Sequence, residues 1–148
     1  MIDNEDWGFM EYKHHSPSFK TIWSMSFFNK IFGSSEEEKP SPKFWKYIES
    51  EEDLKRAIAT SAEKKVAIFK HSTKCFISKT VLKNFEKEVE NSDKNVDYYF
   101  LDLLAHRDLS NKIADDLGVT HQSPQLIVLE NGVVVNHASH QSISLSLI

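Results

Sequence analysis

Ile68-Phe69-Lys70-His71-Ser72-Thr73-Lys74-Cys75-Phe76-Ile77-Ser78-Lys79-Thr80-Val81 joins two periodicities across one polar loop. Upstream, Val66 to Phe69 is β-branched and aromatic and reads as a strand. Downstream, Ile77, Val81, Leu82, Phe85 and Val89 recur at spacings of three to five and line one face of a helix of about four turns. The loop between them ends at Cys75, the one cysteine of the sequence. Cys75 therefore stands at a helix start, where backbone N–H groups lack intrahelical partners and the helix dipole is positive. Both features favour a thiolate over a thiol, and Lys74 and His71 are placed to add positive charge. This position makes Cys75 a candidate nucleophile. Taken alone, the residue fits a small buried core position equally well, since free cysteine is among the most buried residue types. The polar neighbours Ser72, Thr73, Lys74 and Ser78 speak for a loop.

Composition narrows the class. A chain of 148 residues holds one domain with a core of useful size and a tail. The formal net charge is -4, and Lys and Arg are interleaved with Glu and Asp without a basic stripe, so nothing points to nucleic acid. A single cysteine forms no internal disulfide, which excludes a secreted disulfide scaffold. No apolar run approaches the roughly 18 residues of a membrane span. The opening Met1-Ile2-Asp3-Asn4-Glu5-Asp6 is acidic where a signal peptide is basic, and the expected compartment is the reducing cytoplasm.

Residues 1–43 differ from the rest and are expected to form a flexible N-terminal extension. Within it, Phe27, Phe28, Ile31 and Phe32 give residues 25–33 a short amphipathic character, marginal as an isolated helix. Met25 is a candidate native start. Ser34 to Pro42 is a linker of serine, proline and charge. The folded domain, residues 44–148, opens with a short strand over Phe44 to Ile48. Ser50-Glu51-Glu52-Asp53 resembles a capping box and starts a helix whose apolar face is Leu54, Ala57, Ile58 and Ala62. After the cysteine helix, Val96 to Leu104 reads as a buried strand. Asp108 is placed to cap a helix lined by Leu109, Ile113, Ala114 and Leu117 and stopped by Gly118. Leu126–Leu129 and Val133–Val135 flank Asn131-Gly132, a strong hairpin signal. The order strand, helix, strand, helix, strand, helix, hairpin is an α/β domain with crossovers first and antiparallel strands last.

Cysteine at the head of the second helix in this order resembles the thioredoxin-like arrangement, a central mixed sheet flanked by helices. The run Lys70-His71-Ser72-Thr73, Cys75 and Ile77-Ser78 narrows the resemblance to the monothiol bacilliredoxins of the bacillithiol redox system. Gly118-Val119 with His121 and Ser123-Pro124-Gln125, and His137-Ala138-Ser139-His140 with Ile143, match the same family in the same order. The resemblance spans roughly residues 44 to 143. It implies that Cys75 takes bacillithiol, as a thiol co-substrate and not a bound cofactor, from S-bacillithiolated client proteins. Free bacillithiol or a bacilliredoxin reductase then completes the cycle. It also implies a cis bond before Pro124, with the backbone of Ser123 facing the sulfur and pairing with a partner. Ser78 stands where a dithiol enzyme carries its second cysteine, so Cys75 has no internal resolving thiol, and Ser78 is expected, with Ser123, Pro124 and Phe76, to contact the substrate.

The chain departs from the family pattern in two places. Phe76 replaces the proline that usually follows the cysteine, which loosens the helix start or offers an apolar surface to a substrate. Ser142 to Ile148 is short where a covering C-terminal helix is usual, leaving Phe27–Phe32 or a second copy of the chain as alternative covers. A zinc site at Cys75 and His71 lacks the several cysteines of structural zinc, so no metal is expected. A Cys-His hydrolase has only the histidine count in its favour, and His71, His121 and Thr73 are read as supporting the polarity around the thiol. The rival to the redox reading is a non-catalytic thioredoxin-like binding module whose surface includes Phe76 and Pro124.

Overall fold

The computed structural model describes residues 41–148; the expected amphipathic segment 25–33 and the candidate start Met25 lie outside them. The elements are β1 (Trp45–Tyr47), α1 (Glu51–Thr60), β2 (Val66–His71), α2 (Phe76–Glu90), β3 (Asp97–Asp102), α3 (Arg107–Leu117), β4 (Gln125–Glu130) and β5 (Val133–Ser139). Two 3-10 turns follow at His140–Ser142 and Leu145–Leu147. The sheet runs in the order β1-β3-β2-β4-β5. β3 is parallel to β1 and β2, and β4 is antiparallel to β2 and β5.

β2 sits at the centre of the sheet, and the period of two along it feeds two cores. Val66 and Ile68 face one side with Leu54, Leu109, Ile113 and Val119, beneath α1 and α3. Ala67 and Phe69 face the other with Trp45, Val81, Phe85 and Val89, beneath α2. Phe69 and Phe85 are wholly buried, each stabilising the fold by about 2–3 kcal/mol through removal from water.

Several sequence expectations are corrected here. β2 runs two residues beyond Phe69, because Lys70 and His71 continue the ladder to Leu101 and Asp102. All six of its residues are buried. On α2, Ile77 is 45% exposed, and the buried stripe is Ser78, Val81, Phe85 and Val89. Ala62 lies past the end of α1 and is exposed. Ser50 does cap α1, its Oγ accepting from Asp53 N–H at 3.2 Å, but Asp53 reaches back to Glu49 N–H and not to the cap's own amide. The residue before α3 is His106, without a side-chain cap; Asp108 lies inside the first turn. Asn131 and Gly132 both take positive φ, at 53° and 78°, as the two central positions of a type I′ hairpin turn require.

The C-terminal tail itself provides a cover on the α2 side. Ile143 is buried, and Leu145, Leu147 and Ile148 pack against that core. The Glu88 carboxylate anchors the tail by accepting from Leu145 N–H at 2.6 Å and from the Ser144 hydroxyl at 3.3 Å.

Candidate functional site

The cysteine loop leaves the buried end of β2 and turns at once into α2. Leu103 N–H donates to His71 O at 3.0 Å, and Cys75 N–H donates to Ser72 O at 3.1 Å, so the turn is fixed at both ends. Cys75 is the N-cap of α2, with extended φ and ψ of -96° and 120°, and is partly exposed with a free thiol. The first intrahelical bond runs from Lys79 N–H to Cys75 O at 3.1 Å. The amides of Phe76, Ile77 and Ser78 precede it and have no intrahelical acceptor. A capping oxygen usually occupies this place; here the side chain ends in sulfur and makes no cap hydrogen bond.

The flanking residues divide into two groups. Thr73, Lys74 and Phe76 are exposed, Phe76 at 81%. Phe76, Ile77, Thr80, Asn84, Gln141 and Ile143 line an open groove along the start of α2. Ser78 and His71, by contrast, are buried, which corrects the expectation that Ser78 contacts substrate and that His71 adds charge. Ser72 N–H donates to Ser78 Oγ at 3.0 Å, and Ser78 Oγ lies 2.8 Å from His71 Nδ1. No other acceptor for the Ser78 hydroxyl appears among the described residues, so its proton goes to Nδ1, and His71 carries its own on Nε2. Burial pushes the His71 pKa down, opposed by Asp102 and assisted by Lys79; at neutral pH the ring is uncharged.

The antiparallel pair Lys70↔Gln125 brings the start of β4 beside the end of β2. Immediately before Gln125, the Ser123–Pro124 bond is cis, as the resemblance implied. Gln125 ties down the preceding loop, with Nε2 donating to Thr120 O at 2.9 Å and Oε1 accepting from Gln122 N–H at 3.4 Å. Pro124 O accepts from His140 N–H at 3.0 Å. The three matched stretches of sequence thus meet at one end of the sheet. His137 is exposed on the edge strand. Among the described residues, no three His, Cys, Asp or Glu side chains gather as a metal site.

Sequence reasoning missed one cluster. Lys70 is wholly buried, and its Nζ lies 2.9 Å from His121 Nδ1. Ser110 Oγ is 3.2 Å from the same nitrogen. An ammonium only donates, so Nδ1 accepts and the proton of His121 sits on Nε2. Burial and the Arg107 charge push the Lys70 pKa down to about 8. Burial, Lys70 and Arg107 all lower that of His121. The available signal was a lysine directly continuing an apolar strand run, which reads equally as the first loop residue.

A partly exposed cysteine at the head of the helix that follows the central strand, with a cis-proline turn beside that strand's end, defines a thioredoxin-fold thiol protein. Solved structures agree on the fold. A candidate oxidoreductase with a thioredoxin fold is 32% identical, with a TM-score of 0.62 over 70% of this chain and 88% of its own. Thioredoxins from Malassezia sympodialis and Nicotiana alata are each 19% identical with TM-scores of 0.55. They cover 71% and 73% of this chain, and 85% and 87% of their own. The family model of monothiol bacilliredoxin BrxC matches residues 46–148, and the chain belongs to that family. Family and fold together support a thiol redox role. No described helix is long and apolar enough to cross a membrane.

Proposed function

We propose that this protein removes bacillithiol from S-bacillithiolated proteins in the cytoplasm. The Cys75 thiolate attacks the bacillithiol sulfur of the mixed disulfide. A Cys75–bacillithiol disulfide forms, and the client sulfur leaves as a thiolate that takes a proton from solvent. A second bacillithiol, as thiolate, then attacks that bond, releasing Cys75 and bacillithiol disulfide, which a separate reductase returns to the thiol. Both steps exchange one S–S bond for another, and no electrons are lost.

The observation that carries this reading is the pairing of Cys75 at the amide end of α2 with Ser78, a buried hydroxyl, at the position of a resolving thiol. Unpaired amide N–H groups at a helix start favour negative charge on the residue placed there, which serves the Cys75 sulfur both as attacking group and as leaving group. Ser123 and Pro124 offer backbone to the bound disulfide, and Thr73, Lys74 and Phe76 form the exposed rim.

The exposed Phe76 and its groove favour a second reading, a binding module with an incidental thiol. Incubation with a bacillithiolated client, following release of the client thiol, separates the two. Release that is lost in Cys75→Ser supports exchange. Partner capture that survives Cys75→Ser, without release by the wild type, supports the module.

A further inference from the structure

The Lys70 cluster has no part in the exchange chemistry above, yet it is the one wholly buried cationic side chain among the described residues. No carboxylate of those residues lies within ion-pair distance of it. Buried charges are ordinarily paired, and here the one neighbour found for Nζ is a neutral imidazole. Arg107, in the first turn of α3, is close enough for its charge to bear on both Lys70 and His121. Arg107 is exposed and adds a second positive charge on this side of the domain.

In the adjoining turn one hydroxyl is buried without a partner, and one imidazole N–H is free to meet a ligand. His121 is partly exposed, and its Nε2–H, fixed by the lysine behind it, has no partner among the described residues. Ser123 Oγ, two residues on and directly before the cis-proline, is buried without a hydrogen-bond partner. A buried cation lacking an anion, beside a buried hydroxyl without a partner and a partly exposed N–H, suits an acceptor that carries negative charge.

We propose that Lys70, His121 and Arg107 form the seat of a carboxylate borne by the small thiol of the mixed disulfide, so that acidic low-molecular-weight thiols are exchanged in preference to neutral ones. The proposal rests on the exchange reading of Cys75. Lys70 supplies charge through His121, which makes the contact by Nε2–H, and Arg107 closes the exposed side. The seat lies beside the cis-proline turn, where the disulfide would lie against the protein.

The test uses one neutral reporter peptide in mixed disulfide with 3-mercaptopropionate or with its near-isosteric amide. A third substrate pairs the amide with a peptide carrying an added aspartate. Each rate is divided by that of dithiothreitol on the same substrate, which removes intrinsic differences in the disulfide. Wild type is expected to prefer the carboxylate-bearing thiol about tenfold. In Arg107→Gln and in Lys70→Met the ratio is expected to fall toward one. Arg107 is exposed, so its replacement does not disturb the core if Lys70→Met fails to fold. Equal rates on the acid and the amide overturn the carboxylate seat while leaving exchange intact. A preference that follows the peptide's aspartate, or one that persists in both folded variants, also overturns it. Cleavage of none of the three substrates by wild type removes the exchange reading itself, and the seat with it.

Discussion

Replacing Lys70 with methionine is expected to stabilise the domain. The lysine pKa falls from 10.5 to about 8 in the fold. At about 1.4 kcal/mol per pH unit, the buried ammonium costs on the order of 3 kcal/mol near neutral pH relative to an exposed one. Methionine is unbranched and of similar volume, so packing against Leu101 and Gln125 is largely kept. Loss of the bond to His121 offsets about 1 kcal/mol, and Ser110 remains beside the freed Nδ1. The net gain at pH 7 is about 2 kcal/mol, or a rise in Tm of roughly 8 °C for a domain of this size. Above 10.5 neither state of the wild type holds the proton. As the pH falls toward 8 the unfolded chain takes it up and the folded chain does not, so stability drops; below about 8 both are charged and the drop is complete. The difference between variant and wild type therefore shrinks as the pH is raised from 8 to 10.5, and groups common to both proteins cancel. Urea unfolding of the two proteins at intervals from pH 7 to 10.5 measures it. A variant less stable than wild type at pH 7, or a difference that does not change with pH, refutes the reasoning.

Phe76→Pro is expected to stabilise the domain by about 0.5–1 kcal/mol, read as an increased urea midpoint. Phe76 is the first helical residue, its amide is outside the helical ladder, its ring is 81% exposed, and Cys75 already has the extended ψ of 120° that a following proline requires. Ser78→Ala leaves His71 Nδ1 and Ser72 N–H without their shared partner and is expected to lose about 1–3 kcal/mol in the same assay. Ser78→Cys places a second sulfur one helical turn from Cys75, and after mild oxidation the protein is expected to show no thiol to an alkylating reagent while remaining monomeric on a non-reducing gel.

The order of elements and the position of Cys75 were legible because period changes and caps are local. Val66 to Phe69 alternates into two cores, Gly118 ends α3 in the left-handed region, and Asn131-Gly132 turns the hairpin. The interior polar groups were not legible. Lys70 and His71 have loop-like identities, and only the neighbouring strands β3 and β4 place them in the sheet. Ser78 and Ile77 exchanged expected roles for a similar reason, because a one-residue rotation about the helix axis decides which of two adjacent side chains meets the strand below. The cover formed by Leu145, Leu147 and Ile148 escaped a reading that looked for a helix, since two short 3-10 turns leave no sustained period.

The serine behind Cys75 has a practical corollary. With no other cysteine in the sequence, a molecule joined through sulfur to this residue has no exit within the chain, and its stay is timed by whatever thiol the surroundings supply. On the exchange reading, the unaltered protein kept in thiol-free buffer is expected to retain the small thiol that Cys75 has taken up.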